Sequence, residues 1–133
     1  MATAPDFDLD EIASLVDLDD AVLLTQELVR IPSVLGDARE ISDFLAARMP
    51  AMGFDEVFQQ DVLPERQNVI GIVDSGRPGP TMILTGHIDT KPVCVGWDGD
   101  PYSGDLRDGR IHGHAVMDMK AGVAGCVAGA AAL

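Results

Sequence analysis

Thr81-Met82-Ile83-Leu84-Thr85-Gly86-His87-Ile88-Asp89 is the stretch on which the reading of this chain turns. An apolar run comes first, a glycine breaks it, and a histidine and a carboxylate follow at alternate positions. On an extended backbone residues i and i+2 point to one face, so His87 and Asp89 share one. Further on, Asp118-Met119-Lys120 closes a Gly-containing stretch and opens a run of small apolar residues. Ligands carried at the ends of strands have the look of a metal site. A histidine can bind a metal through one ring nitrogen while the other donates to a carboxylate, which fixes the tautomer. Asp89 suits that orienting role or the role of a direct ligand. The plainer reading is a strand end, with His87 satisfied by backbone and Asp89 by Thr85 or Thr90. Asp118 reads equally as a helix N-cap or as a carboxylate bridging two divalent ions.

Outward from this stretch, the pattern predicts mixed helix and strand. Residues 81–85, apolar almost throughout, are expected to form a central strand. The turn-rich segment 74–80 joins them to a strand over residues 68–73, and so short a connection implies an antiparallel pair. Residues 54–62 alternate well enough for a further strand. Residues 19–30 read as a helix with Val22, Leu23, Gln26, Leu28 and Val29 on one face and Asp19 or Asp20 as N-cap. Ile31-Pro32-Ser33 ends it, because the residue before a proline resists the helical region. A second helix is expected from Gly36-Asp37, with Ile41, Phe44, Leu45 and Met49 in period, closed by Pro50 and Gly53. Residues 91–106 read as irregular, Gly109-Arg110-Ile111 as a short strand or turn, and the chain from about Lys120 as a helix. Helices, mixed strands, then strand–loop–helix define an α/β sandwich. Residues 1–10 form an acidic lead-in.

The 133 residues amount to one domain, and 47% apolar content with 5% aromatic content implies a core of Val, Ile, Leu, Met and Ala. A formal net charge of −13 disfavours nucleic acid or an anionic membrane as partner. The N-terminal acids (Asp6, Asp8, Asp10, Glu11, Asp17, Asp19, Asp20) read as a solvated face rather than a metal-loading tail. Cys94 and Cys126 form no CxxC pair, which excludes a zinc ribbon or a thioredoxin-type motif. Two thiols and an N-terminus without a basic-then-apolar pattern point to a reduced cytoplasm. Residues 121–133 are too short to span a bilayer and are expected to be a buried helix. No GxSxG, P-loop or GxGxxG fingerprint occurs.

Other candidates for chemistry are weaker. His112-Gly113-His114 has the spacing of a ligand pair on a strand. Trp97 and Tyr102 read as packing residues rather than a substrate platform. Cys94 lies near His87 but has no second base to activate it.

Taken together, Pro80-Thr-Met-Ile-Leu-Thr-Gly-His-Ile-Asp-Thr-Lys-Pro-Val93, Trp97-Asp-Gly-Asp-Pro-Tyr102 and Asp108-Gly-Arg-Ile-His-Gly-His-Ala-Val-Met-Asp-Met-Lys120 resemble the signature blocks of a family of zinc-dependent enzymes. It comprises aminoacylases, acetylornithine deacetylases, succinyl-diaminopimelate desuccinylases and related peptidases. The resemblance extends back to Ile31-Pro32-Ser33. It implies a three-layer α/β sandwich with a mixed central sheet, of which residues 1–133 are the N-terminal part. It implies that His87 ligates one metal, that Asp118 bridges two, that Asp89 is the catalytic residue orienting His87, and that the Asp118–Met119 bond is cis. Two Zn²⁺ ions are the implied cofactors, with Co²⁺ or Mn²⁺ as substitutes. The implied reaction is hydrolysis of an amide in a small N-acylated amino acid or peptide, by a full-length homodimer. A general-base Glu and the remaining ligands would follow beyond residue 133, so the short chain is expected to be inactive. The rival expectation is a short, acidic, non-catalytic metal-binding or interaction protein derived from that family. His112, His114 and Ala115 depart from the family's usual residues and read as substitutions. Lys120 belongs to the motif without an evident physical role.

Overall fold

The computed structural model describes residues 8–133. Residues 1–7, with Asp6 and most of the acidic lead-in expected over residues 1–10, lie outside the described residues, and α1 begins at Leu9. In chain order the elements are α1 (Leu9–Ser14), α2 (Leu18–Arg30), α3 (Arg39–Ala51), β1 (Glu56–Leu63), β2 (Arg66–Ile72), β3 (Asp105–Arg107), β4 (Arg110–His112) and α4 (Ala121–Ala131).

The start of α2 is capped by Asp17, whose carboxylate accepts from the Asp20 N–H at 2.9 Å. Asp19 and Asp20, expected as caps, instead lie in the first turn, where their charge still complements the helix dipole. Ile31 leaves helical geometry with φ −97° and ψ 109°, as its place before Pro32 requires. The buried stripe of α2 is Leu24, Thr25, Leu28 and Val29, while Leu23 is exposed. The expected face was therefore rotated by about a residue, because Val22 and Leu23 are apolar without being inward.

Helix α3 begins at Arg39, later than Gly36-Asp37 suggested, and carries no side-chain cap. Pro50 sits in its last turn and Gly53 follows at φ +96°, a left-handed position that suits glycine. Ile41, Ser42, Leu45 and Met49 are buried. β1 and β2 form an antiparallel hairpin with Leu63 opposite Arg66 and Glu56 opposite Ile72. That hairpin packs on α3, with Phe54 in the core. Gly71 is obligatory in this contact: a Cβ there would stand 2.6 Å from the Phe54 ring. An Arg48–Asp20 ion pair ties α3 to α2, and Gln59 Nε2 on β1 donates to Ser42 Oγ and Asp43 Oδ1 on α3.

The second layer is α2 against α4. Val123, Ala124, Val127 and Ala128 are buried at i, i+1, i+4 and i+5, the spacing of the α2 stripe. Leu24, Leu28, Ile41, Leu45, Val123, Ala124 and Val127 belong to one continuous core.

The architecture is thus mixed helix and strand with two small antiparallel sheets, β1–β2 and β3–β4. The central strand expected over residues 81–85 is absent among the described residues, and so is its antiparallel pairing with the strand before it. Met82, Ile83 and Leu84 are 66%, 83% and 45% exposed. Composition made the segment strand-like, but a strand needs neighbours to take its N–H and C=O groups. The described residues supply none. The nearest ladder contact is a parallel bridge between Val34 and Thr90.

Candidate metal centre

The Gly86-His87-Ile88-Asp89 segment is held from below by the loop that follows α2. Ser33, fully buried, donates its hydroxyl to the Ile88 carbonyl at 2.7 Å. The Thr90 N–H donates to the Ser33 carbonyl at 2.7 Å, and the Leu35 N–H to the Thr90 carbonyl at 2.9 Å. Gly86 lies where Met119 crosses. A Cβ on Gly86 would stand 3.0 Å from Met119 Cε and 3.2 Å from Val123 Cγ2. Met119 is likewise 3.0 Å from the Cβ position of Gly122. The glycine beside His87 thus lets the Asp118–Met119 turn approach.

That turn, Val116–Lys120, is kinked at Asp118 and Met119, and the peptide bond between them is cis, as the resemblance implied. The Lys120 N–H closes it onto the Ala115 carbonyl at 3.0 Å. Asp118 does not cap α4; Lys120 occupies the position before its first residue. Asp118 faces His87 instead, with His87 Nε2 2.9 Å from Asp118 Oδ1. Residues 31 apart in sequence are thereby brought into direct contact.

His87 Nδ1 lies 3.0 Å from the main-chain oxygen of Asp89. A carbonyl and a carboxylate both only accept, so with the two contacts made each ring nitrogen donates, Nδ1 to Asp89 and Nε2 to Asp118. The carboxylate of Asp89 stands farther off, at 3.6 Å. Asp89 therefore orients the ring through its backbone in this geometry, where the expected agent was its side chain. The Asp89 carbonyl and then the Asp118 carboxylate raise the His87 pKa above the usual histidine value. His87 and Asp89 are half exposed and the Asp118 side chain is 84% exposed.

These residues open into a cavity of about 1360 Å³, bordered also by Trp97, Arg107, Arg110 and His114. His114 is not brought to the pair: its Nε2 lies 2.7 Å from the Lys91 carbonyl, and its ring meets Trp97 and Tyr102 edge-on at 6.0 and 6.2 Å. His112 ends β4. The HxH spacing thus serves the loop wall. Cys94 is a free, exposed thiol. Among the described residues no three His, Cys, Asp or Glu side chains form a metal-binding group.

Two residues that the sequence reading named without assigning a physical role hold the site together. Ser33 is one. The other is Lys120, 1% exposed, whose ammonium donates to the Leu28 carbonyl at 2.8 Å and to the Ile31 carbonyl at 2.6 Å. Burial pushes its pKa down to about 8. The available signal was a lone lysine at the head of an otherwise apolar stretch.

Residues 83–133 match the sequence pattern of Peptidase family M20/M25/M40. The chain is 36% identical over 110 residues to a succinyl-diaminopimelate desuccinylase of Methylobacterium radiotolerans, covering 80% of this chain and 28% of that protein. It is 35% identical over 117 residues to the enzyme of the same name from Methylocella silvestris, covering 84% and 30%. The corresponding figures for Parvibaculum lavamentivorans are 33% over 116 residues, 84% and 29%. The chain is related to the M20/M25/M40 peptidase family, whose pattern it carries over residues 83–133, and it spans less than a third of the length of these relatives. No solved structure matches it. No helix among the described residues is long and apolar enough to cross a membrane.

Proposed function

We propose that this chain is the N-terminal part of a metal-dependent hydrolase that cleaves the amide bond of an N-acylated amino acid or peptide. The observation that carries the reading is the convergence of His87 Nε2 and Asp118 Oδ1 at 2.9 Å, within the block that matches the family. Zinc takes imidazole nitrogen and carboxylate oxygen at about 2.0–2.2 Å, so two such donors on one ion lie roughly 3 Å apart. The pair fits a shared divalent ion. His87 would be a terminal ligand through Nε2, the ion taking the place of the proton now shared with Asp118, while Nδ1 stays committed to the Asp89 carbonyl. Asp118, the more exposed of the two, would be the carboxylate shared with a second ion. A divalent ion held there lowers the pKa of a bound water toward neutrality and polarises a carbonyl. Asp89 would keep the imidazole in its metal-binding tautomer, and the open cavity would admit a small substrate.

The relatives' names point to a succinyl group on an amino acid as the acyl substrate class. In the proposed full-length protein, strands from beyond residue 133 would pair with residues 81–85 and complete a three-layer sandwich. A general-base Glu and further ligands would come from the same part, in a cytoplasmic homodimer. Residues 1–133 alone would be inactive. A second reading takes the same pair alone: His87 and Asp118, two donors on a chain of net charge −13, would make the short chain a weak, acidic metal binder.

The deciding experiment extends the reading frame past Leu133, purifies the long form with Zn²⁺ or Co²⁺, and assays N-succinyl and N-acetyl amino acids. Hydrolysis by the long form, at least about 10²-fold reduced in His87→Ala, is expected, with no turnover by residues 1–133 above the same control. A stop codon directly after Leu133, or full activity in His87→Ala, sinks the proposal.

A further inference from the structure

We propose that residues 28–33, the end of α2 and the loop after it, are the gauge that sets His87 against Asp118, with Ser33 and Lys120 as positioning residues. His87 and Asp118 share no strand ladder and no helix. What they share is this short segment. On the His87 side, the Ser33 hydroxyl holds the Ile88 carbonyl at 2.7 Å and the Ser33 carbonyl takes the Thr90 N–H at 2.7 Å. On the Asp118 side, the Lys120 ammonium reaches the Leu28 and Ile31 carbonyls at 2.8 and 2.6 Å.

The chemistry of the segment suits both grips. The last carbonyls of a helix carry the negative end of its dipole, and the Leu28 carbonyl, which takes only the Ile31 N–H at 3.3 Å, has a second lone pair to offer. Pro32 cannot continue the helix, so the Ile31 carbonyl is left for another donor. An ammonium that leaves water must find strong acceptors, and these two carbonyls are the acceptors Lys120 has. Each grip lands next to a site residue. Ile88 adjoins His87, and Lys120 lies two residues after Asp118 in a turn closed by its own N–H on Ala115. With both ends referred to one rigid helix terminus, a shift at either grip changes the His87–Asp118 separation. Met119, wedged between Gly86 and Gly122, bounds the same separation from the opposite side.

The inference rests on the pairing of His87 with Asp118 and not on a bound metal, so it stands or falls apart from the proposed reaction. The test is the long-range proton–nitrogen spectrum of the His87 ring in the metal-free chain, with the thermal midpoint of each variant recorded alongside. Asp118→Asn defines the ring signal of a broken pair. Lys120→Met, which keeps the side chain's length and removes its donors, is expected to move the His87 signal at least half-way to that reference. Ser33→Ala is expected to move it part of the way. Asp17→Ala, which removes the α2 N-cap far from the site, should lower the midpoint and leave the ring signal in place. Folded Lys120→Met and Ser33→Ala proteins with the wild-type ring signal overturn the proposal. So does an Asp118→Asn spectrum identical to wild type, since there is then no pair to position. If Lys120→Met does not fold, Ser33→Ala decides alone.

Discussion

Two apolar stretches lie on either side of the candidate site, and the structure treats them oppositely. In α4, Val123, Ala124, Val127 and Ala128 are buried against α2. In residues 81–85, Met82, Ile83 and Leu84 point into solvent. The difference is in the backbone. A helix satisfies its own N–H and C=O groups and needs only one apolar face covered. A strand must find both its backbone partners and its side-chain cover in other segments. Hydrophobic sequence therefore suffices to bury α4 within these residues, whereas residues 81–85 find no ladder partner among the described residues.

This contrast can be broken by substitution. Val127→Asp places an unpaired carboxylate in the core and is expected to cost roughly 4 kcal/mol or more, seen as loss of the cooperative thermal transition. A cooperative melt near the wild-type midpoint would show that α4 is not docked. Leu24→Ala, on the α2 face in the same core, should destabilise by about 2–5 kcal/mol in urea titration. At the low end stands Ile83→Asp. If residues 81–85 are uncovered, it changes stability by no more than about 0.5 kcal/mol. A loss comparable to Val127→Asp would mean that the segment is buried in solution, for instance by a second copy of the chain.

Much of the local structure was legible because its causes are local. The end of α2 before Pro32, the close of α3 near Pro50 and Gly53, and the amphipathic stretches all follow from neighbouring residues. The α2 cap was misplaced among three acids because Asp17, Asp19 and Asp20 all have the chemistry of a cap and only the geometry selects one. The strand over residues 81–85 was over-read because pairing depends on residues far away in sequence. At the site, His87 and Asp118, drawn from two separate sequence blocks, are in contact. The blocks did not reveal that Asp89 holds the ring through its carbonyl, since any residue can offer one. Ser33 and Lys120 stayed hidden for the same reason: their partners are main-chain oxygens, which leave no mark in a sequence.

The Lys120 anchor also has a consequence for the order in which the molecule can be made. The carbonyls it caps lie 92 and 89 residues earlier in the chain. At about 5–20 residues/s of synthesis, the end of α2 leaves the ribosome roughly 5–20 s before its capping lysine exists. During that interval water must stand in for the ammonium at both carbonyls, Leu28 keeping only its local bond from the Ile31 N–H, and α2 has no α4 to lie against. The nascent chain therefore carries α2 in a provisional state, and His87 meets Asp118 only when the last helix arrives.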